Sequence, residues 1–486
     1  DAALEIITMF SQGKMPWKTN DPELMKPVWH QTIEAAEKFN EPGKFTAFIG
    51  YEWTSLLKGN NLHRVVIYKD GGSSARQTLP FTLEDSADPE RLWDAMQAYE
   101  EKTGGDLLAI PHNGNLANGI MFDVETLSEK PIDKDYASRR QQWERLYEAT
   151  QIKGDGEAHP FLSPDDEFAD YETWDLGNLD LSEAKKDSML AGEYARSGLK
   201  RGLELEQKVG INPYKFGMIG STDSHTSLAA VEENNFFGKH SGVEPSPERA
   251  SHIVLGGENG KIMGSDMASS GYAAVWAKEN TREAIFDAMM RRETYATTGS
   301  RMGVRFFGGW DFTEADANSR QPAEAGYSRG VPMGGDLSQA PDGKSPTFLV
   351  AAMKDAMSGN LDRIQIIKGW VGKDGQAEER VYDVAVSDGR KIDKNGRCKT
   401  PVGNTVDVAN ATWTNTIGDP ELIAVWTDPD FDAKQRAFYY VRVLEIPTPR
   451  WTAYEAKRFN VKMPQDTKMV TQERAYTSPI WYTPKS

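Results

Sequence analysis

The sequence predicts an α/β domain over residues 1–300 followed by a β-sandwich-like domain over residues 301–486. Three observations carry that division. From Asp21 to about Ser300, helical periodicity alternates with short apolar strands, as in strands linked by helices within a mostly parallel sheet or barrel. A clearly signalled helix over Thr281–Arg292 closes this part. After Gly299 the texture changes to about seven strands separated by Gly/Asp/Pro-rich turns, without long helices, which is the pattern of a sandwich.

Each element has a local reason. Val28, Trp29, Ile33, Ala36 and Phe39 recur at helical spacing, and Glu41-Pro42-Gly43 stops the helix they define. Strand-like runs follow at Phe45 to Ile49, His63 to Tyr68, Asp106 to Ile110, Leu146 to Ile152 and Phe216 to Ile219. Helical stretches at Glu90 to Lys102 and Ser188 to Lys208 lie between them. In the closing helix Asn280 is the expected N-cap, Glu283 the acidic partner of a capping box, and Ala284, Ile285, Ala288 and Met289 the buried stripe. The strands expected beyond it are Val304 to Phe307, Thr347 to Val350, Ile364 to Ile367, Val381 to Val386, Leu422 to Trp426, Phe438 to Leu444 and Ile480 to Tyr482.

Composition removes several function classes. The 486 residues carry 56 Lys and Arg against 73 Asp and Glu, a net charge of −17. So acidic a surface suits neither nucleic acid nor anionic membrane, because affinity for phosphate comes mainly from Lys and Arg. The single cysteine, Cys398, rules out an intrachain disulfide and a CxxC zinc site. Mean hydropathy is −0.60, and no apolar run approaches the ~20 residues of a membrane-spanning helix. No GxSxG elbow, GxxxxGK(S/T) loop, GxGxxG fingerprint or HExxH helix occurs. Asp1 is neither a start methionine nor part of a basic-then-apolar signal, so processing, or further residues upstream, is expected.

What chemistry is left lies at strand ends. Of seven histidines, His30, His240 and His252 sit on an exposed helical face or in polar loops and read as bland, whereas His63, His112, His159 and His225 lie at strand ends or in an acidic loop. In Gly220-Ser-Thr-Asp-Ser-His225, a carboxylate and an imidazole leave one strand together, a pair suited to zinc, manganese or iron. The competing reading makes Asp223 a turn cap and His225 a surface residue. In Ile110-Pro-His-Asn-Gly-Asn115, Pro111 holds Ile110 extended and Gly114 permits close backbone approach, so that His112 is presented as a ligand or else buried as a core histidine. Glu52 ends an apolar strand and wants a cation, either a metal or the Arg64 guanidinium. Lys153-Gly-Asp-Gly-Glu-Ala-His159 is a flexible polar loop that binds substrate or supplies a general acid, or else is merely solvated, as acidic loops more often are.

Gly-x-Glu ending a strand, a histidine eleven residues on, a Pro-His pair and a late Asp-x-His together resemble the PHP superfamily, named for polymerase and histidinol phosphatase domains. Longer segments are similar to its bacterial branch catalogued as domain of unknown function 3604. They are Phe48-Ile-Gly-Tyr-Glu-Trp-Thr-Ser55, Asn60-Asn-Leu-His-Arg-Val-Val-Ile67, Ala109-Ile-Pro-His-Asn-Gly-Asn115, Phe216 to Ser227, Asn234-Asn-Phe-Phe-Gly-Lys239, Tyr295-Ala-Thr-Thr-Gly299 and Arg474 to Tyr482, so the likeness spans essentially the whole chain. The resemblance implies a distorted (β/α)7 barrel holding two or three divalent ions (Zn, Mn or Fe) that activate water to hydrolyse an anionic ester of a small molecule, usually a phosphate ester. It makes Glu52 a bridging carboxylate, gives His63 and His112 to the same ion, and places Asp223 and His225 on different ions of the cluster. Arg64, Asn113 and Asn115 are expected to bind substrate, Lys153 to meet an anionic oxygen, and His159 to protonate the leaving group. The superfamily's His-x-His first strand has no match before Glu52 and is expected upstream of Asp1. Family likeness further implies export to the periplasm. A non-catalytic ligand-binding protein, and a hydrolase of sulfate or carboxylate esters, are the competing expectations.

Overall fold

In the computed structural model, residues 9, 21–240, 244–319 and 321–484 are described. Asp21 opens the helix Pro22–Phe39 by accepting the Glu23 N–H, and Pro22 takes the first position, where its missing donor costs nothing. Trp29 and Ile33 bury the inner face, and the Trp29 indole donates to the Ala75 carbonyl at 3.1 Å. That helix and Pro89–Thr103, which contributes Leu92, Trp93, Met96 and Tyr99, cover one face of a three-stranded sheet ordered Ile49–Trp53, Arg64–Tyr68, Leu107–Pro111. Period-2 alternation sorts the central strand: Val66 and Tyr68 enter this aromatic core, while Val65 and Ile67 face the opposite side. On that opposite side Leu108 and Ile110 meet Leu146, Ile219, Phe286 and Met289, which joins the sheet to a second one.

The second sheet pairs Leu146–Gln151 in parallel with Gly217–Gly220 and carries the short strand Gly154–Asp155 on its other edge. The mostly parallel arrangement expected from the sequence is not what the described strands form. Ile49–Trp53, Arg64–Tyr68 and Leu107–Pro111 are all antiparallel neighbours. Leu107–Pro111 is buried along its whole length because both of its faces are covered. An unbroken apolar run of this kind has the signature of a parallel strand, whatever its partners.

Two helix boundaries also differ. The stretch Ser188 to Lys208 is broken into Asp187–Leu190 and Ala195–Val209. The closing helix is Arg282–Met290, capped by Thr281, whose hydroxyl accepts the Ala284 N–H. Asn280 lies one residue outside and instead ties Thr46 and the Lys44 carbonyl to this end of the helix.

Beyond residue 300 the strands build two sheets that pack face to face. One is four-stranded, ordered Gly330–Pro332, Gly303–Gly309, Thr347–Met353, Glu421–Thr427. The other runs Tyr272–Val275, Thr294–Thr297, Arg474–Thr477, Ala437–Glu445, Leu361–Val371, Ala377–Val386, with Ile480–Thr483 and Asp336–Ser338 joining at one side. This larger sheet therefore takes strands from both sides of residue 300. Its strand Ala437–Glu445 alternates cleanly: Tyr439, Val441 and Val443 face Phe306, Phe348 and Val350 of the smaller sheet, whereas Phe438 and Tyr440 face Leu199, Leu203, Tyr147 and Phe216. The larger sheet is thus a middle layer, packed on the sandwich core one way and on the N-terminal half the other. The helix Trp451–Phe459, absent from the sequence expectation, caps the strand-rich part. Among the described residues no helix is long and apolar enough to cross a membrane.

Candidate metal centre

Strand parity brings three of the expected residues together. Trp53, Arg64, Val66 and Tyr68 point to the aromatic core, so Glu52, together with His63 and His112 at the ends of the neighbouring strands, falls on the other face of the same sheet. Glu52 Oε1 lies 2.8 Å from His63 Nδ1 and 3.1 Å from His112 Nε2. The two rings stand edge to face, 5.5 Å apart. Glu52, His63 and His112 are the one group among the described residues whose carboxylate and imidazole atoms gather closely enough to hold an ion, all within 4.8 Å of one another. Both histidines are buried, while the Glu52 side chain keeps 32% of its surface exposed, so the set is closed behind and open in front. An open side is what separates a catalytic metal position from a structural one.

The electrostatics suit a cation. Burial alone would raise the Glu52 carboxyl, but hydrogen bonds from His112 and His63 outweigh it and hold the group well below the usual carboxylate range. Burial lowers the His63 imidazole to about 4, although Glu52 opposes the shift. At neutral pH the pair is accordingly a carboxylate and a neutral imidazole, the protonation states in which these groups ligate metals. The nitrogens that do not face Glu52, His63 Nε2 and His112 Nδ1, are buried without a hydrogen-bond partner. Leaving such atoms unpaired costs about 1–3 kcal/mol each. Two nitrogens and one oxygen with separations of 2.8 and 3.1 Å match the spacing imposed on shared ligands by metal bonds of ~2.0–2.2 Å.

Asp223 and His225 lie beside this set rather than in it. Asp223 has a left-handed backbone, φ 49°, and gives its carboxylate to three donors: the Lys153 ammonium, the Lys239 ammonium at 2.9 Å and the Gln151 amide at 2.8 Å. His225 is half exposed, with Nδ1 3.0 Å from the Asp223 carbonyl and its ring 5.3 Å from that of His240. Burial and the charges of Lys239 and Lys153 bring His225 down to about 4, and Glu52 acts on it in the opposite direction, so the two clusters share one electrostatic environment.

Several expected roles are redistributed. Arg64 does not serve substrate or Glu52: it is buried on the aromatic side, 3.0 Å from Glu144, and strand alternation puts it on the opposite face from His63. Asn113 and Asn115 are buried framework. Asn113 Oδ1 accepts from Gln151 at 2.7 Å, and the Asn115 amide donates to the Lys153 carbonyl at 3.1 Å, so together they position the residues around Asp223. His159 is committed elsewhere, its Nδ1 accepting the Phe161 N–H at 3.1 Å and its Nε2 3.2 Å from Asp175, and neither nitrogen touches Glu52, His63 or His112. The segment 153–159 is no solvated loop, because every residue in it is buried. Its Glu157 finds Arg196 at 2.6 Å and Arg442 at 3.1 Å, counter-charges from far along the chain that its local sequence does not reveal.

Three participants escaped the sequence reading: Lys239, Gln151 and Glu148. Glu148 is buried on the strand Leu146–Gln151, accepts the Ser221 hydroxyl on one oxygen and has no hydrogen-bond partner on the other. A carboxylate in the middle of an apolar strand was the available signal, the same one that singled out Glu52. Lys239 closes the segment Asn234-Asn-Phe-Phe-Gly-Lys239, which the family likeness had marked without giving it a role.

The loop after His112 also has a steric requirement. A Cβ on Gly114 would sit 2.3 Å from the Glu193 carbonyl oxygen and 2.6 Å from the Tyr147 hydroxyl. Gly114→Ala is therefore expected to cost about 1–3 kcal/mol by overpacking. It is also expected to weaken metal binding by shifting His112, two residues earlier in the same loop. Urea unfolding and metal content check both, and a variant indistinguishable from wild type would show that this loop yields freely.

No curated protein and no solved structure matches the chain. A family model described as "Protein of unknown function (DUF3604)" matches residues 3–484 and so takes in the triad, the Asp223 cluster and both packed sheets. The chain belongs to the DUF3604 family.

Proposed function

We propose that this protein is a metal-dependent hydrolase of the PHP type acting on phosphate esters, with Glu52, His63 and His112 holding a divalent ion. The observation that carries this reading is the half-open carboxylate–imidazole set with unpaired buried ring nitrogens. Nitrogen and oxygen donors in this proportion suit zinc, manganese or iron. A divalent cation held there supplies Lewis acidity and a nucleophilic water at neutral pH. The chain's own contribution is orientation and charge. Glu52 places one oxygen between the two imidazoles, and Lys153 and Lys239 bring positive potential to the same environment. On this reading the two small sheets that carry these residues belong to a distorted PHP-like barrel, and the family likeness of the site segments supports that placement.

The test is a panel of phosphate, sulfate and carboxylate esters assayed on the full chain with Mn²⁺, Zn²⁺ or Fe²⁺, after chelation and after metal is restored. Phosphate release that chelation abolishes and metal restores is the expected result. Metal-stimulated release from sulfate or carboxylate esters alone would move the assignment to another ester class. Absence of metal-stimulated turnover on every ester would leave a ligand-binding protein as the better description.

A further inference from the structure

A cavity of 110 Å³ lies where the loop 231–234 meets the strand-rich part, and its walls combine carboxylates with aromatic rings. Glu232, Glu233, Asp355 and Glu473 line it together with Trp413 and Tyr454, and no Lys, Arg or His among the described residues does. Glu473 is 4% exposed. Glu445, fully buried, stands close by and accepts at 2.5 Å the hydroxyl of Ser358, itself a lining residue. Counter-charge is short here. Of these five carboxylates only Glu232 has an ion pair among the described residues, with Arg301 at 3.6 Å, and that arginine is 70% exposed. The next cations are committed elsewhere: the Arg450 guanidinium is bidentate on Glu172, and the Lys354 ammonium donates to three backbone carbonyls. Burial, and then the Glu233 and Glu445 carboxyls beside it, push Glu473 well above the usual carboxylate range. Ser300, 6% exposed, also lines the cavity. Its Oγ approaches Glu445 without completing a hydrogen bond, and neither that Oγ nor Glu445 Oε1 has a partner.

We propose that this cavity binds the ammonium end of a primary alkylamine. None of its walls belongs to the metal centre, and the proposal goes beyond the hydrolase reading without resting on it. Buried carboxyls without a cation keep their protons, because ionising them in a medium of low dielectric is costly. An ammonium group brings the missing charge, and with it three donors for the carboxylate oxygens and the Ser300 hydroxyl. Trp413 and Tyr454 add ring surface of the kind that attracts a cation and covers the carbons behind it. A metal ion fits less well, since among the described residues no three carboxylates bring their oxygens as close together as the Glu52, His63 and His112 donors. Size sets a further limit. A cavity of 110 Å³ holds roughly four water-sized groups, which suits an ammonium on a short chain better than a bulky quaternary one.

The experiment is calorimetric titration of the full chain, in amine-free buffer, with n-butylamine, with its neutral counterpart n-butanol, and with a lysine blocked at both ends. Butylamine is expected to bind wild type and butanol is not. Glu473→Gln keeps the shape of the protonated acid, so it should fold, and it is expected to bind butylamine about 10–100-fold more weakly, the equivalent of one charge-assisted hydrogen bond. Trp413→Ala, in a partly exposed loop, is expected to bind it about 2–5-fold more weakly. Blocked lysine binding as butylamine does would identify the occupant as a lysine side chain, and butylamine binding alone would identify a free small amine; both support the site. The proposal is overturned if neither amine binds wild type, if butanol binds as tightly as butylamine, or if Glu473→Gln binds butylamine as wild type does. Displacement of butylamine by Ca²⁺ would overturn it too, by making the carboxylates a metal site. Should Glu473→Gln fail to fold, unchanged butylamine affinity in Trp413→Ala overturns the proposal by itself. Ester turnover is no part of the readout, so a protein without metal-stimulated turnover would still show the Glu473-dependent titration.

Discussion

Glu52→Gln and His112→Ala are expected to strip the metal centre, lowering metal affinity by at least about 10²-fold and abolishing metal-stimulated turnover. Replacing residues that merely orient a ligand typically costs 10–100-fold, so losing a ligand itself sets a floor at the upper end of that range. Glu52→Gln is the sharper test because it keeps the shape. It removes the charge from the oxygen that lies 2.8 Å from His63 and 3.1 Å from His112, and a neutral amide oxygen is a much weaker ligand for a divalent ion than a carboxylate. The metal-free variants should fold, since the three-stranded sheet is held by Trp29, Trp53, Val66, Tyr68, Leu92, Trp93 and Tyr99 on its other face. Their apo stability should fall by no more than the about 1–3 kcal/mol of an orphaned buried polar group. His30→Ala, on the helix Pro22–Phe39, is the control and should change neither metal content nor turnover. Elemental analysis and turnover on the same preparations decide the matter, and full occupancy in both site variants would remove these residues from the ligand set.

How much of this was legible depended on whether a signal was local. Glu52, His63 and His112 stood out because polar, metal-ligating side chains at the ends of apolar strands are conspicuous, and strand alternation then puts them on one face. The same alternation, applied to the adjacent pair His63 and Arg64, already separates Arg64 from the site. The fate of segment 153–159 was not legible. Gly154-Asp155-Gly156-Glu157 has the composition of a solvated loop, and only the fold delivers Arg196 and Arg442 to it. Lys239 was hidden in a similar way, since its partner Asp223 lies sixteen residues back in another loop. Strand direction was obscured for a further reason: apolar runs report burial on both faces, and Leu107–Pro111 is buried on both within an antiparallel sheet. Nor does alternation name a partner, so Tyr272–Val275 and Thr294–Thr297 gave no sign that they complete a sheet begun by residues beyond 360.

The other large effect is expected far from the metal. Arg442→Met should destabilise the fold by about 3–5 kcal/mol, the usual cost of removing one partner from a buried ion network. Arg442 is fully buried and lies on the face of Ala437–Glu445 that Phe438 and Tyr440 turn toward the N-terminal half. It reaches Asp166 at 2.5 Å, Glu157 at 3.1 Å and Gln365 at 2.8 Å, while Arg196 meets the same two carboxylates at 2.8 and 2.6 Å. With Arg442 gone, Glu157 and Asp166 share the one guanidinium of Arg196 in a buried setting. The exposed pair Lys344–Asp311 gives the contrast, since Lys344→Ala should cost at most about 1 kcal/mol. Urea unfolding of the two variants tests this, and an Arg442→Met protein within 1 kcal/mol of wild type would show that the network is dispensable. The consequence extends to the site. Glu157 lies four residues beyond Lys153 in the same buried segment, and Gly156 is tied in by backbone hydrogen bonds to Ala149 and Ala195, so loosening this anchor should let Lys153 drift from Asp223. Arg442→Met should therefore lose turnover while keeping its metal at temperatures where it is folded, the reverse of Glu52→Gln, which loses its metal and keeps its fold.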